Sequence, residues 1–398
     1  MVRERRFAVP FFYFVIFVSM KRFPFIFLLV FSTFQFSCSK SPSAGDFAPP
    51  QLGDVRVVSG TCHSLEFQSL IRFYQAEENY LQQMEYGFYL LPDSTSAVPL
   101  KIPASREGNM LSAKIDGLSS GVEYLCTPFV SAGGYEARGI ETRVATVDPF
   151  KDKAFKEVVL ANFDKDKDGG ISRQEALQVT KMEVITAEIT DLAGVELFLN
   201  LQELICKGPY NEEFSREMDG TLVNLDISAN VNLVYLHCGY NKLQKLDVSN
   251  NTKLHTLHCH NTMIDSLDLG NNPSIVILEA RDCPYLVDVK FPVGSGLRSV
   301  NLHACDLASV DLSELALLDS FSAGWNYRLR EFDFSNNPLL YYLVLSGLPE
   351  PKEFDLRHND KLGLFYGEEC AALERVYMSK KAKLEEMKVG PNVTVVYE

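Results

Sequence analysis

Seven copies of a four-residue phrase recur within residues 222–378 and decide the fold of the chain. The copies are LDIS at Leu225, LDVS at Leu246, LDLG at Leu267, VKFP at Val289, VDLS at Val310, FDFS at Phe332 and FDLR at Phe354. They follow one another at steps of 21 or 22 residues. A fixed period of this size predicts a solenoid in which each repeat adds one rung to a stack.

A second apolar phrase stands between these copies and predicts the strands of the solenoid. It occurs as LVYLHC at Leu233, LHTLHC at Leu254, IVILEA at Ile275, LRSVNL at Leu297, LDSFSA at Leu318 and LYYLVL at Leu340. Apolar residues at alternate positions turn one face of a strand inward. No single rung can bury that face alone, so we expect the rungs to stack into a parallel sheet over a continuous core.

The repeat resembles the leucine-rich repeat family in its short bacterial form, in which Cys stands in the third apolar place, as in internalin-like surface proteins. The phrases LVYLHC and LHTLHC carry this resemblance most directly. It covers about half of the chain and implies a curved parallel β solenoid whose concave face binds a partner. We expect the repeats to occupy residues 182–378, with a short helix near residues 194–198 and a polar insert, 207–220, that loops out.

The composition of the whole chain limits the classes of function. The chain has 398 residues, of which 46% are hydrophobic and 23% charged, as in ordinary globular proteins. Its formal net charge of −14 argues against nucleic acid as a partner, because phosphate binding needs a basic face. The length predicts several domains rather than one.

Residues 1–37 are predicted to be an export signal. Two apolar runs are separated by Lys21 and Arg22, and Met20, directly before that pair, is a second candidate start. Ser37 precedes Cys38, and this end resembles a bacterial lipoprotein signal, which implies that Cys38 is lipidated and anchors the protein to the membrane at the bacterial outer surface. Residues 38–53 then form a Ser/Pro-rich tether. Ordinary secretion and an uncleaved membrane helix remain as alternatives.

Residues 54–147 change to short alternating runs punctuated by Gly, Pro and Ser, which predicts an all-β sandwich. The phrase LSAKIDGLSSGVEYLC resembles a fibronectin type III domain near strand F, with Leu118 and Tyr124 at the matching positions. The resemblance implies that the Tyr124 hydroxyl bonds back to the connecting backbone. Cys62 and Cys126 either bridge the two sheets or remain free thiols.

Residues 148–181 contain the pattern D-x-D-x-D-G-x-I-S-x-x-E between two short helical segments, which resembles an EF-hand calcium loop. Gly169 permits the sharp turn, and Ile171 is an apolar anchor. The resemblance implies that calcium is held by six residues: Asp164, Asp166, Asp168, Gly170, Ser172 and Glu175. A solvated acidic turn is the alternative. Because a second loop is missing from the sequence, we expect a structural ion that braces the entrance of the solenoid rather than a sensor.

Several columns of equivalent residues should stack within the solenoid. An asparagine at the same place in five repeats predicts a structural ladder: Asn230, Asn251, Asn272, Asn337 and Asn359. The recurring Asp of the LDIS-like phrases should bond local backbone groups. Cys206, Cys238 and Cys259 occupy an inward strand position, so we expect small buried thiols. Residues 379–398 should form a polar cap with a turn of helix and a closing strand over 393–397.

The outward strand positions are the candidates for partner binding. They are Tyr235, His237, Thr256, His258, His260, Glu279, Arg281, Asn301, His303 and Tyr342. Aromatic and polar side chains of this kind favour a protein ligand over a glycan or an envelope-assembly partner. The histidines with Glu279 also allow a transition metal as an alternative. No nucleophile, zinc-protease or phosphate-binding motif occurs in the sequence, so an enzyme is not expected.

Overall fold

The computed structural model describes residues 50–73, 81–92, 98–132, 135–211, 216–217 and 219–398. The predicted export signal, Cys38 and residues 38–49 of the predicted tether lie outside these residues. Residues 51–53 were predicted to be tether but belong to the first strand. Within the described part of the chain, no helix is both long and apolar enough to cross a membrane.

Nine strands form two antiparallel sheets in residues 51–145, called here the two-sheet region. The strands are β1 Gln51–Gly60, β2 Ser64–Arg72, β3 Glu85–Pro92, β4 Leu100–Pro103, β5 Ser105–Glu107, β6 Met110–Asp116, β7 Glu123–Ala132, β8 Tyr135–Arg138 and β9 Thr142–Ala145. One sheet has the order β1-β2-β6-β5, and the other has the order β4-β3-β7-β8 with β9 also paired to β7. The predicted antiparallel strands are therefore confirmed.

The two sheets share one hydrophobic core. Phe67 of β2 and Phe88 of β3 come from different sheets, and their ring centroids lie 5.6 Å apart. Both rings are fully buried. The Tyr124 hydroxyl accepts a hydrogen bond from the Ser119 backbone N–H at 3.2 Å, as the sequence resemblance implied. Cys62 and Cys126 are free thiols in this structure, so no bridge joins the sheets through them.

Two helices and one short 3₁₀ turn connect the two-sheet region to the repeats. They are α1 Lys153–Phe163, α2 Arg173–Gln178 and the 3₁₀ helix Val195–Leu197. Helix α1 begins where the Asp152 side chain accepts the Phe155 N–H at 3.1 Å. It buries Phe155 and Val159 against the repeats.

The remaining strands form the solenoid. They are β10 Lys181–Ile185, β11 Glu203–Lys207, β12 Tyr210–Asn211, β13 Arg216–Glu217, β14 Tyr235–His237, β15 Thr256–His258, β16 Ser266–Asp268, β17 Ile277–Glu279, β18 Asp288–Lys290, β19 Ser299–Asn301, β20 Ser320–Ser322, β21 Tyr342–Val344, β22 Glu353–Leu356, β23 Leu364–Gly367, β24 Arg375–Met378, β25 Glu386–Val389 and β26 Thr394–Tyr397. Within the predicted insert 207–220, β12 pairs with β13 antiparallel.

A ten-stranded parallel sheet runs through the solenoid in the order β10-β11-β14-β15-β17-β19-β20-β21-β23-β25. The central residue of each short strand points inward and is buried in register with its neighbours: Leu204, Leu236, Leu257, Leu278, Val300, Phe321, Leu343 and Phe365. Each such side chain stabilises the fold by about 1.5–3 kcal/mol only when the next rung covers it. The predicted parallel solenoid is confirmed.

The LDIS-like phrases form the opposite side of the rungs. Parallel pairs join β16 to β18, and β24 lies between β22 and β26. In the six phrases that contain Asp, its carboxylate accepts the backbone N–H two residues later, as Asp226 does from Ser228 at 3.0 Å. These Asp side chains are exposed, so they fix a local turn rather than fill the core.

The asparagine ladder is present. The side-chain amide of Asn251 donates to the carbonyls of Ile227 and Asn230 in the preceding rung, at 3.1 and 2.9 Å. Asn272 in the next rung and Asn359 in a later rung repeat this arrangement, each with two carbonyls. Every member of the ladder is fully buried. The ladder therefore satisfies backbone groups that the turning chain would otherwise leave without donors.

The last segment corrects one prediction. Residues 379–398 were expected to contain a turn of helix, but residues 386–389 form β25, the tenth strand of the long sheet. Strand β26 stacks on β24 in the same way. The Lys/Glu-rich composition favours helix locally, yet pairing with β23 supplies backbone hydrogen bonds and covers its apolar residues. The stacking of rungs therefore continues beyond residue 378.

Candidate functional site

The acidic loop brings three carboxylates together. Oxygens of Asp164, Asp166 and Asp168 all lie within 4.8 Å of one another, the one such group of potential metal ligands in the described residues. The Asp164 carboxylate accepts the N–H groups of Lys167 and Gly169, at 2.7 and 3.0 Å, and so closes the turn. Gly169 has a φ of 89°, which a glycine adopts without strain.

Glu175 returns to the start of the loop from the first turn of α2. Its carboxylate accepts N–H groups from Ser172 at 2.9 Å and from Lys165 at 2.7 Å. Ser172 in turn caps α2 by accepting the Glu175 N–H, which completes a capping box. Burial by itself would raise the pKa of Glu175, but the hydrogen bonds from Ser172 and Lys165 outweigh burial and lower it. The carboxylate is therefore held ionised beside the three aspartates.

The loop fits a hard divalent cation. Calcium binds oxygen at about 2.3–2.6 Å, so two ligands of one ion lie no more than about 5 Å apart. The three aspartate oxygens meet that limit. Burial raises the pKa of Asp166, and the negative charges of Glu175 and Asp164 raise it further. A bound cation would remove this repulsion, and all its side-chain ligands would be oxygens, which suits calcium.

The outward residues of the ten-stranded sheet form what we call the polar sheet face. Three columns run across the strands in register. The first column contains Tyr235, Thr256, Ile277, Ser299, Ser320 and Tyr342. The second contains His237, His258, Glu279, Asn301, Ser322, Val344 and Tyr366. His260, Arg281 and His303 follow these strands at equivalent positions two residues beyond the second column.

Three residues predicted to be exposed on this face are largely covered. His237 and Thr256 are each 9% exposed and His260 is 7% exposed. Imidazole rings pack on one another here: the His237 centroid lies 5.2 Å from those of both His258 and His260. The stacking of rungs forces these rings together, so each ring hides part of the next. These three side chains therefore lie in the outward columns but expose little surface.

The histidines do not make a metal site of the predicted kind in this conformation. The His258 and His260 ring centroids are 6.1 Å apart, and the described histidine nitrogens form no group of three within 4.8 Å. The Tyr235 ring instead packs on His258 at 5.5 Å, and the Tyr240 ring meets His260 edge-on at 5.1 Å. The arrangement is therefore an aromatic cluster.

The middle of the face carries charge. Glu279 accepts a hydrogen bond from the Asn301 side chain at 2.9 Å, and burial raises the pKa of its carboxyl. Arg281 forms an ion pair with Asp282. Burial lowers the pKa of His303, which favours its neutral form. This part of the face offers both hydrogen-bond acceptors and a cation to a ligand.

A column of left-handed residues, not predicted from the sequence, follows seven of the ten strands of the face. Its non-glycine members, with φ between 53° and 59°, are Tyr240, Asn261, Asp282, Ala304, Trp325 and Glu369. Trp325 is half-buried and its ring lies 6.2 Å from that of Tyr327, which is 62% exposed. A bulky side chain rarely takes this conformation. The only sequence signal is the constant position in the repeat, because the residue type changes at every step.

Taken together, the stacked rungs define a parallel β solenoid. No protein-family model matches the chain, and no curated protein matches it in sequence. Among solved structures, the chain is similar to the functional domain of InlJ from Listeria monocytogenes, described as including a cysteine ladder. The two share 20% identity over 63% of this chain and 69% of the other, with a TM-score of 0.36.

Two further internalin structures from the same species are similar to this chain. The internalin InlF shares 17% identity over 63% of this chain and 91% of its own length, with a TM-score of 0.36. Internalin C2 shares 14% identity over 61% of this chain and 95% of its own, with a TM-score of 0.37.

Proposed function

We propose that the protein binds a partner protein through the polar sheet face and acts in adhesion or interaction at a bacterial cell surface. The observation that carries this proposal is the register of the sheet, which sets aromatic, imidazole and charged side chains in continuous columns away from the core. Tyrosine and histidine supply large contact area together with hydrogen bonding, which protein interfaces favour. The proposal assigns no catalytic role to the face.

A paired substitution tests this proposal. We expect His258→Ala with Tyr342→Ala to weaken partner binding at least tenfold, since both side chains lie on the face. The matched control is His255→Ala with Tyr285→Ala, which removes the same residue types from exposed positions outside the columns. The measurement is crosslinking of purified ectodomain to intact cells, followed by titration of the captured protein. Equal binding by both variants would place the interaction elsewhere.

A glycan is the second candidate ligand, and the Trp325 and Tyr327 pair favours it. Their rings meet edge-to-face at the border of the sheet face, and Tyr327 is exposed. Aromatic rings of this kind pack against the apolar faces of sugars as well as against protein. Loss of glycan-array binding in Trp325→Ala, with the His258→Ala and Tyr342→Ala variant unaffected, would favour the glycan over the protein partner.

We also propose that the acidic loop binds calcium through Asp164, Asp166, Asp168, Gly170, Ser172 and Glu175 as an EF-hand-like structural site. The clustered aspartate oxygens support this proposal. Calcium should raise the thermal midpoint by several degrees, and chelation should reverse the rise. Glu175→Gln should abolish the rise, whereas Glu157→Gln on the exposed side of α1 should keep it. An unchanged midpoint in the unaltered protein would refute the calcium site.

The remaining proposal concerns placement in the cell. We infer that residues 1–37 direct export and that lipidated Cys38 anchors the chain to the outer membrane. The tether, which ends before β1 at Gln51, and a fibronectin type III-like domain then space the solenoid from the membrane. The Tyr124 hydroxyl bond to Ser119 supports the domain assignment. Cys38→Ala should abolish palmitate labelling and release the protein from membranes. Continued labelling would contradict the anchor.

A further inference from the structure

The acidic loop contacts the two-sheet region through a reciprocal pair of hydrogen bonds. The Ser120 N–H donates to the Ile171 carbonyl at 3.1 Å, and the Ile171 N–H donates to the Ser120 hydroxyl oxygen at 3.2 Å. Both residues are fully buried. The two are 51 residues apart in the chain, so the bonds join separate parts of the fold. The N–H and the carbonyl of Ile171 are therefore both hydrogen-bonded to Ser120.

The two consecutive glycines of the loop have different reasons to be glycine. A Cβ on Gly169 would meet nothing within 4 Å, and its left-handed φ explains the residue. Gly170 has no such φ, but a Cβ there would lie 2.3 Å from the Ser120 carbonyl oxygen and 2.6 Å from Val122. Gly170 is therefore required by the close approach of the two-sheet region rather than by the turn.

The side chain of Ile171 faces the opposite way. It belongs to the same buried cluster as Phe155 and Val159 of α1, which continues into the core of the solenoid. The backbone of this one residue is bonded to the two-sheet region, while its side chain packs with the solenoid. The position of the Ile171 peptide groups therefore sets how the two parts meet.

The segment around Ser120, which contacts Ile171, is held by hydrogen bonds within the two-sheet region. The Ser119 N–H donates to the Tyr124 hydroxyl at 3.2 Å, and the Thr146 hydroxyl donates to the Ser119 carbonyl at 2.7 Å. Gly121 donates to the Val147 carbonyl at 3.2 Å. These bonds hold the residues on both sides of Ser120 in place within the two-sheet region. The segment is a preformed partner for the loop and loses little freedom on contact.

We propose that Ser120 is a positioning residue for the calcium loop, so that cation binding and docking of the two-sheet region stabilise each other. The inference rests on the proposed calcium site. Ile171 lies between Gly170 and Ser172, two of its proposed ligands, so fixing the Ile171 peptide groups restricts the backbone that a cation must order. Coupling of this kind is reciprocal: whatever docking adds to cation affinity, the cation adds to docking.

Calcium titration of the intact ectodomain, by isothermal titration calorimetry, tests the coupling. Ser120→Ala should weaken calcium binding about three- to tenfold, as expected for a lost buried hydrogen bond that supports the bound form. The matched control is Ser69→Ala, which removes a buried serine that donates to the Gly53 carbonyl elsewhere in the two-sheet region. Its calcium affinity should equal that of the unaltered protein.

A second readout separates coupling from general destabilisation. Calcium should slow amide hydrogen exchange at residues 117–122 in the unaltered protein, although none of these residues is a proposed ligand. At saturating calcium, Ser120→Ala should reduce this slowing, because the Ile171 N–H has lost its acceptor, whereas Ser69→Ala should retain it. Circular dichroism checks that both serine variants are folded.

The two levels of the proposal fail in different ways. If the unaltered protein binds no calcium, the calcium site itself is refuted, and the coupling with it. If it binds calcium and Ser120→Ala binds with the same affinity as Ser69→Ala, the coupling is overturned while the calcium site stands. Slowing of exchange at residues 117–122 that is equal in Ser120→Ala and in the unaltered protein, both saturated with calcium, would also overturn it.

Discussion

Two interior columns close the rungs of the solenoid, and they do so with different chemistry. The asparagine ladder uses one residue type, and Asn251 gives both its donors to carbonyls of the preceding rung. The second column, here called the turn column, contains Asn241, Thr262, Cys283, Cys305 and Asn326. Its members also donate to backbone carbonyls, but with amide, hydroxyl or thiol groups.

The side chains of the turn column differ in how well they satisfy the backbone groups around them. Asn326 donates to the carbonyls of Leu302 and Ala323 and also accepts the Leu307 N–H at 3.0 Å. Cys305, one rung earlier, donates to the Ala280 carbonyl at 3.2 Å and to the His303 carbonyl at 3.7 Å. A thiol is a weak donor, so the backbone carbonyls are satisfied less well at Cys305 than at Asn326.

The largest effects are expected at the buried asparagines of the two columns, beginning with the ladder. Asn251→Ala leaves two buried carbonyls without their donors and should lower the free energy of unfolding by about 3 kcal/mol. The matched control is Asn250→Ala, which removes the exposed neighbour and should change it by less than about 0.5 kcal/mol. Urea unfolding followed by circular dichroism measures both. Similar midpoints for the two variants would mean that the ladder is not a framework element.

A smaller effect is expected at a thiol of the turn column. Cys305→Ala should cost about 1 kcal/mol, because it removes weak thiol hydrogen bonds and leaves a small cavity. Asn326→Ala, one rung away in the same column, should cost about 3 kcal/mol because it removes an amide that serves three backbone groups. Comparing their urea midpoints sharpens the contrast, and equal losses would show that donor type is irrelevant there.

A change beside the turn column should increase stability. Ala304 has a φ of 54°, a conformation that is unfavourable for any residue with a Cβ. Ala304→Gly should therefore raise the free energy of unfolding by about 0.5 kcal/mol, after the greater flexibility of glycine in the unfolded chain is subtracted. Ala323→Gly, at a fully buried position, should lower it instead. Thermal unfolding of both variants tests the opposite signs.

The smallest effect is expected on the polar sheet face. Ser322 lies there between Asn301 and Val344, outside both interior columns. Ser322→Ala should change the thermal midpoint by no more than about 1–2 °C, since substitutions away from packed or hydrogen-bonded positions change stability little. A large loss would show that this face contributes to the framework and is less free to specify a ligand.

The repeat period explains why so much of the solenoid was predictable. Strand positions, the asparagine ladder and the buried cysteines Cys206, Cys238 and Cys259 all follow from one spacing applied repeatedly. The partial burial of His237 and His260 did not follow, because it depends on which rings happen to be neighbours in space. Strand β25 was missed because pairing across rungs overrode a local preference for helix.

The candidate calcium loop was likewise predictable only in part. Its ligands are contiguous, so spacing alone selected Asp164, Asp166 and Asp168, which the structure brings together. The bonds between Ser120 and Ile171 join residues that no periodicity relates, and the sequence carried no sign of them. Gly170 is explained by the close approach of Ser120, but from the sequence it was interpreted only as part of the loop.

The two outermost strands of the long sheet have a consequence for self-association. β10 and β25 lie at the ends of the strand order, and each has an unpaired backbone edge within the described chain. Exposed Lys181 and Glu183 lie on β10, and exposed Glu386 and Lys388 lie on β25. Charged side chains on an edge strand discourage edge-to-edge addition of another molecule. The stack should therefore stay finite, and concentrated protein should remain free of fibres.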